Sequence, residues 1–150
     1  TFIIGLFITF ISIGISYNRM LRTELASMLN KTAEQQTDIR VSIRDAAVRG
    51  QALELPINDF LFAESVRNDI IVHYKQQDTV ASQTFRLTIA ELMQQLPYDN
   101  IFQCHRSFVV NLNNITNAKG NSNGYILTLS PAQEAVPVSR SYVAKLKTFL

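Results

Sequence analysis

The chain has 150 residues, 47% hydrophobic and 17% charged, with a net charge of +2, one cysteine and no tryptophan. Five glycines and four prolines beside that apolar share exclude a disordered or collagen-like chain. A single cysteine and two histidines exclude an internal disulfide framework and a cysteine-built zinc site. The length suits one ordinary domain plus an appendage.

Residues 1–18 contain no Asp, Glu, Lys, Arg or His. Phe2, Ile3, Ile4, Leu6, Phe7, Ile8, Phe10, Ile11, Ile13 and Ile15 would surround a helix on all sides, leaving no polar face. A bilayer-spanning helix needs about 20 apolar residues. This run is just short of that, in a chain that does not begin with Met. Arg19 and Arg22 follow directly, and by the positive-inside rule they place everything downstream in the cytoplasm. Residues 1–18 are therefore expected to be a transmembrane helix in contact with the lipid bilayer, in the cytoplasmic (inner) membrane. A signal peptide fits poorly, because no basic region precedes the run and no cleavage site of small residues follows it.

Residues 19–38 carry Leu21, Leu25, Met28, Leu29 and Ala33 at spacings of three and four, without Gly or Pro. This predicts a helical linker. It reads either as a spacer or as a short parallel coiled coil that would make the protein a homodimer.

From Ile39 the pattern turns strand-like. Val41 to Ile43, Leu53 to Ile57, Phe60 to Ala63, Ile70 to Tyr74 and Gln83 to Leu87 are read as strands. Residues 64–69 between two of them are read as a polar loop. Thr88 and Glu91 have capping-box spacing, and Ile89, Leu92, Met93 and Leu96 would line one face of a helix closed by Pro97. Further strands are expected at 102–104, 108–110 and 125–129. Turns fall at Asn113–Asn114 and at residues 120–124, and a last helix runs over about 142–149, capped by Ser139 or Ser141. The predicted fold is mainly β with one or two short helices.

The near-neutral charge is an average of opposed parts. Residues 51–100 hold three cations against seven anions, a net of −4; residues 101–150 hold five against one, a net of +4. A basic surface built from the last fifty residues could meet phosphate by counterion release.

The segment CHRSFVVN, residues 104–111, sets polar His105, Arg106 and Ser107 at the mouth of an apolar strand. Arg106 offers a fork to a guanine edge or a phosphate, and Ser107 a hydroxyl. A surface arginine beside a core histidine is the plainer alternative. In PVSRSY, residues 137–142, Arg140 and Ser141 stand at a predicted helix start, where unpaired amides attract anions, and Lys145 follows a turn later. Competing serine caps and a solvated arginine would account for the first two residues as well. Arg67, Asn68 and Asp69 stand on the polar loop. No GxSxG, HExxH or paired-carboxylate pattern is present, so an enzyme is not expected. Cys104 is read as a buried residue, since its neighbour His105 would point to the opposite face of a strand.

Taken in order, LPINDFLFAES, FRLTIAELMQQLP, IFQCHRSFVVNLNNI, GNSNGYILTL and VPVSRSYVAKLKTFL resemble the LytTR (LytR/AlgR-type) bacterial DNA-binding domain family over about residues 39–150. The resemblance implies an elongated, mainly β fold that grips double-stranded DNA with loops between strands, often as a pair on directly repeated sites. It also implies that DNA contacts come from Arg67, Asn68 and Asp69, from Arg106 and Ser107, and from Arg140 and Ser141 with Lys145 beside them. It implies no cofactor and no metal. The apolar segment in place of a receiver domain resembles the membrane-anchored branch of the family. The expectation is a membrane-tethered transcription regulator. The alternative is a membrane signalling component whose LytTR-like domain docks a protein, favoured by the acidic residues 51–100.

Overall fold

The computed structural model describes residues 39–132 and 134–149. The expected transmembrane helix and helical linker, residues 1–38, lie outside them. Among the described residues no helix is long and apolar enough to cross a membrane.

Among the described residues ten strands and two short helices follow in order. Strands β1 (Arg40–Arg44) and β2 (Ala52–Pro56) form an antiparallel pair. After a 3-10 turn at Ile57–Asp59 come β3 (Phe60–Val66), β4 (Asp69–Gln76) and β5 (Thr79–Phe85). Helix α1 (Ile89–Gln95) precedes β6 (Ile101–His105) and β7 (Phe108–Asn111). Beyond a second 3-10 turn at Leu112–Asn114 lie β8 (Ile115–Asn121), β9 (Gly124–Leu129), β10 (Ala135–Ser139) and helix α2 (Arg140–Phe149). Every strand pairing is antiparallel, and the central sheet has the order β5-β4-β3-β7-β6. A three-stranded sheet, β10-β9-β8, stands apart from it in pairing.

The central sheet separates two cores. On one face Phe60, Ala63, Ile70, Val72, Phe85 and Val109 meet β1, β2 and α1. On the other, Leu61, Phe62, Phe102, Cys104 and Val110 meet β9, β10 and α2. Side chains alternate across a strand, so Phe60 and Phe62 would ordinarily share a face. A register shift between them puts Phe60 and Phe62 into opposite cores, with Leu61 beside Phe62. Such a bulge is how one strand supplies large side chains to both layers.

Helix α1 begins where its sequence dictates. The Thr88 hydroxyl accepts from the Glu91 N–H at 3.2 Å, and the Glu91 carboxylate accepts from the Thr88 N–H at 2.7 Å. These contacts hold the Glu91 carboxyl below its ordinary range. Leu92 and Leu96 are fully buried, each worth about 1.5–3 kcal/mol relative to exposure. Gln95 fixes the helix to β1: it accepts from the Arg44 N–H at 2.7 Å and donates to the Arg44 carbonyl at 3.1 Å.

Three readings change. Residues 64–66 continue β3 and Asp69 opens β4, so the polar loop shrinks to the two residues Arg67 and Asn68. The sheet extends because Val66 pairs with Asp69, and Arg67 absorbs the reversal at φ 59°. Two strands, β8 and β10, stand where only turn and helix signals were read. Pro137 sits inside β10, which the three-stranded sheet accommodates because β10 is an edge.

Asn111, Asn114 and Asn100 are buried and form a polar knot around the second 3-10 turn, where the sequence placed a turn at Asn113–Asn114. Asn111 Nδ2 donates to the carbonyls of Ile57 and Phe60, both at 2.9 Å. Its Oδ1 accepts from Asn100 Nδ2 at 2.9 Å and from the Asn113 N–H at 3.1 Å. Asn114 Nδ2 adds bonds to the carbonyls of Asn58 and Phe60. Amide side chains here satisfy backbone groups that the two 3-10 turns leave without sheet partners.

Candidate nucleic-acid interface

Antiparallel topology gathers the relevant turns at one end of the central sheet. The β3–β4 turn carries Arg67 and Asn68, and the β6–β7 turn carries Arg106 and Ser107. Because β3 pairs with β7, the two turns are neighbours. A direct bond joins them, since the Ser65 N–H donates to the Ser107 carbonyl at 2.8 Å. His105 shapes its own turn by accepting from the Ser107 N–H at Nδ1, 3.1 Å away. The imidazole is thus a turn-former, edge-on to Phe108. Cys104 is buried, donates to the Phe108 carbonyl at 3.6 Å, and burial pushes its thiol up to about 12.

An open groove of about 490 Å³ lies between these turns and the start of α1. Arg67, Asn68 and Arg106 line it, with Ser65, Thr88 and Glu91. Neither Arg67 nor Arg106 has an ion pair among the described residues, where the single such contact is His73 with Glu64 at 3.4 Å. Arg67 is exposed and held at φ 59°, in the left-handed region that costs an L residue about 1–2 kcal/mol. Asp69 and Ser107 do not line the groove. Asp69 is half-buried in the first β4 pair, and Ser107 contributes its backbone to the turn.

The other expected contacts belong to the second layer. Arg140 opens α2, and its Nε donates to the Ser122 carbonyl at 2.9 Å, with Nη2 on the same oxygen. The tip of the β8–β9 hairpin thus props the arginine through these two nitrogens. Ser139 and Ser141 place their hydroxyls 3.1 Å apart at the same helix end. Lys145 lies further along α2 with Nζ 5.9 Å from the Phe102 ring centroid, at the outer limit of a cation–π contact. It borders a smaller groove of about 340 Å³ with Tyr98, Asp99, Gln103 and Tyr142. No hydrogen bond or ion pair among the described residues joins Arg140, Ser141 or Lys145 to the first groove. Lys145 thus lines a different groove from Arg67, Asn68 and Arg106, and Arg140 and Ser141 line neither of the two.

Arg86 lines the first groove and was not among the expected contacts. Its signal was the hairpin register: Phe85 pairs with Ile70, so the next residue reaches the row of Asp69 and the β3–β4 turn. Among the described residues no group of three or more His, Cys, Asp or Glu side chains converges to hold a metal.

A β domain with basic turns at one sheet end, and no helix inserted between them, is a loop-presenting domain. Comparison with known proteins specifies it further. The family model of the LytTr DNA-binding domain matches residues 50–150. The chain belongs to the LytTr DNA-binding domain family.

The transcriptional regulatory protein YpdB of Escherichia coli is 36% identical over 96 residues, 63% of this chain and 38% of that protein. The sensory transduction protein LytT of Bacillus cereus is 27% identical over 138 residues, 88% of this chain and 56% of that protein. The chain therefore spans between about two fifths and just over half of these relatives' lengths. A solved LytTr DNA-binding domain from Bacillus cereus superposes with a TM-score of 0.59 at 23% identity, covering 73% of this chain and 94% of that one. That likeness establishes the mainly β fold with two short helices.

Proposed function

We propose that the chain is a membrane-tethered transcription regulator that binds double-stranded DNA in a sequence-dependent way through the turns at the end of its central sheet. The observation that carries this reading is the Ser65–Ser107 bond. It locks two turns side by side and brings Arg67, Asn68 and Arg106 to one groove, the two arginines without an ion pair among the described residues. On this reading Arg106 and Arg140 contact base edges, Arg67 and Asn68 line the DNA beside Arg106, and Lys145 meets phosphate. Ser141 offers a hydroxyl to the backbone at the start of α2, and Asp69 and Ser107 support turn geometry.

The tether rests on the sequence of residues 1–18, which holds no Asp, Glu, Lys, Arg or His and is followed by Arg19 and Arg22. It would hold residues 39–150 on the cytoplasmic face of the inner membrane. Pairing through residues 19–38 would raise the local concentration of a second domain and favour directly repeated sites.

The test is a selection of duplexes from a genomic fragment library by the full chain, followed by titration of variants. Arg140→Ala and Arg106→Ala should each cost about 1–3 kcal/mol and relax preference at a base pair. Lys145→Ala should weaken all sequences alike and flatten the salt dependence. Absence of binding at low salt, or indifference to the Arg106→Ala/Arg140→Ala double change, would overturn the reading. Sedimentation of the chain with membranes after an alkaline wash tests the tether, and recovery in the supernatant would refute it.

A further inference from the structure

Strand order converts into distances along the sheet end. Neighbouring strands lie about 4.8 Å apart. In the order β5-β4-β3-β7-β6, the β3–β4 and β6–β7 turns stand two strand spacings apart, about 10 Å. Two turns at that separation fit within a major groove about 12 Å wide. The next element outward is the end of β5, a further one and a half spacings away, about 7 Å. Arg86 stands there, immediately after the Phe85–Ile70 pair. It lies where the edge of a DNA groove, and hence a phosphate strand, would pass if the two turns occupied the groove.

The local structure fixes Arg86 in that position. Its N–H donates to Asp45 Oδ2 at 2.9 Å, while Asp45 Oδ1 accepts from the N–H groups of Ala47 and Val48 at 2.6 and 3.1 Å. One carboxylate thus ties the β1–β2 loop to the end of β5. These backbone donors, with Arg86 first, hold the Asp45 carboxyl below its ordinary range. The Arg86 side chain is exposed, lines the groove with Arg67 and Arg106, and forms no ion pair among the described residues. Against these three arginines the groove wall carries one carboxylate, Glu91, whose Oε2 accepts from the N–H and the hydroxyl of Thr88.

We propose that Arg86 is a phosphate-backbone contact at the outer margin of this interface, held in place by Asp45 through its backbone N–H. The inference rests on the reading of the groove as a DNA surface. Its chemistry differs from that of Arg106. A phosphate contact is a charge contact, indifferent to base sequence, and lysine can replace arginine in it.

The experiment titrates the full chain and its Arg86→Gln, Arg86→Lys and Arg106→Ala variants with two duplexes. One is a site recovered by selection and the other a scrambled duplex of the same base composition, each measured over a range of salt. Arg86→Gln should weaken both duplexes by a similar factor, about three- to tenfold at moderate salt, and reduce the log–log salt slope by about 0.9. Arg86→Lys should restore the slope. Arg106→Ala should instead erode the ratio between the duplexes. An unchanged slope in Arg86→Gln beside a weakened Arg106→Ala overturns the Arg86 assignment and leaves the interface standing. Failure of Arg86→Lys to restore the slope also overturns it, because a charge contact accepts either cation. If Arg106→Ala too changes nothing, the reading of the groove itself fails.

Discussion

Arg67 and Gln77 hold almost the same backbone conformation, φ 59° and 57°, in two-residue turns at opposite ends of strand β4. Glycine at either position relieves a left-handed strain of about 1–2 kcal/mol. Against that stands the greater backbone entropy glycine loses on folding, about 0.5–1 kcal/mol. Arg67→Gly and Gln77→Gly should therefore each stabilise the domain by about 0.5–1 kcal/mol. Neither exposed side chain takes a contact with it that offsets this gain. Only one of the two turns lies at the groove. Arg67→Gly should weaken DNA binding about tenfold, the loss of one charge-assisted contact of about 1.4 kcal/mol. Gln77→Gly should leave binding unchanged. Urea denaturation read by circular dichroism gives the stabilities, and fluorescence anisotropy on a selected duplex gives the affinities. Equal losses of affinity in the two variants would refute the placement of DNA at the Arg67 end. A loss of stability in both would refute the strain argument.

Gly124 has φ 140°, and a Cβ there would lie 2.1 Å from the Val138 carbonyl oxygen. Gly124→Ala should therefore cost about 3 kcal/mol or more by strain and collision. Gly50→Ala, with φ 98° but open space around it, should cost about 1–2 kcal/mol from strain alone. Equal costs by chemical denaturation would contradict the close approach of β9 and β10. Asn111→Ala removes four hydrogen bonds, three of them buried, and should cost about 3–5 kcal/mol, measurable as a lowered urea midpoint with an unchanged slope. Cys104, with its thiol raised to about 12, should resist alkylation at pH 8 until the chain is unfolded by urea. The unfolded thiol titrates at its ordinary 9.0, so this group's stabilising effect is complete below pH 9 and lost as pH rises toward 12. Rapid labelling of native protein at pH 8 would contradict the burial of this side chain.

What could be read from the sequence was local. The Thr88–Glu91 capping box predicted where α1 starts, and the CHRSFVVN pattern placed Arg106 and Ser107 on a turn ahead of an apolar strand. What could not be read depends on partners far along the chain. Asn111 only closes the CHRSFVVN segment in the sequence, and nothing local shows that Ile57 and Phe60, 54 and 51 residues earlier, offer it their carbonyls. Arg86 carries no motif of its own, and joins the groove because the β4–β5 register delivers it there. The Arg140 guanidinium reads as free in the sequence, yet Ser122 at a hairpin tip engages two of its nitrogens. Strand β10 was hidden by Pro137, which argues against a strand unless that strand lies at an edge.

Amide hydrogen exchange of the full chain with and without a selected duplex locates the DNA on the domain. With duplex bound, exchange should slow at residues 65–69, 86–88 and 105–108 and at the start of α2. The β4–β5 turn at Gln77 and Asp78, at the far end of the central sheet, should exchange at the same rate with and without DNA. Protection confined to that far turn, or none at the Arg67 and Arg106 turns under saturating duplex, would contradict this placement of the DNA.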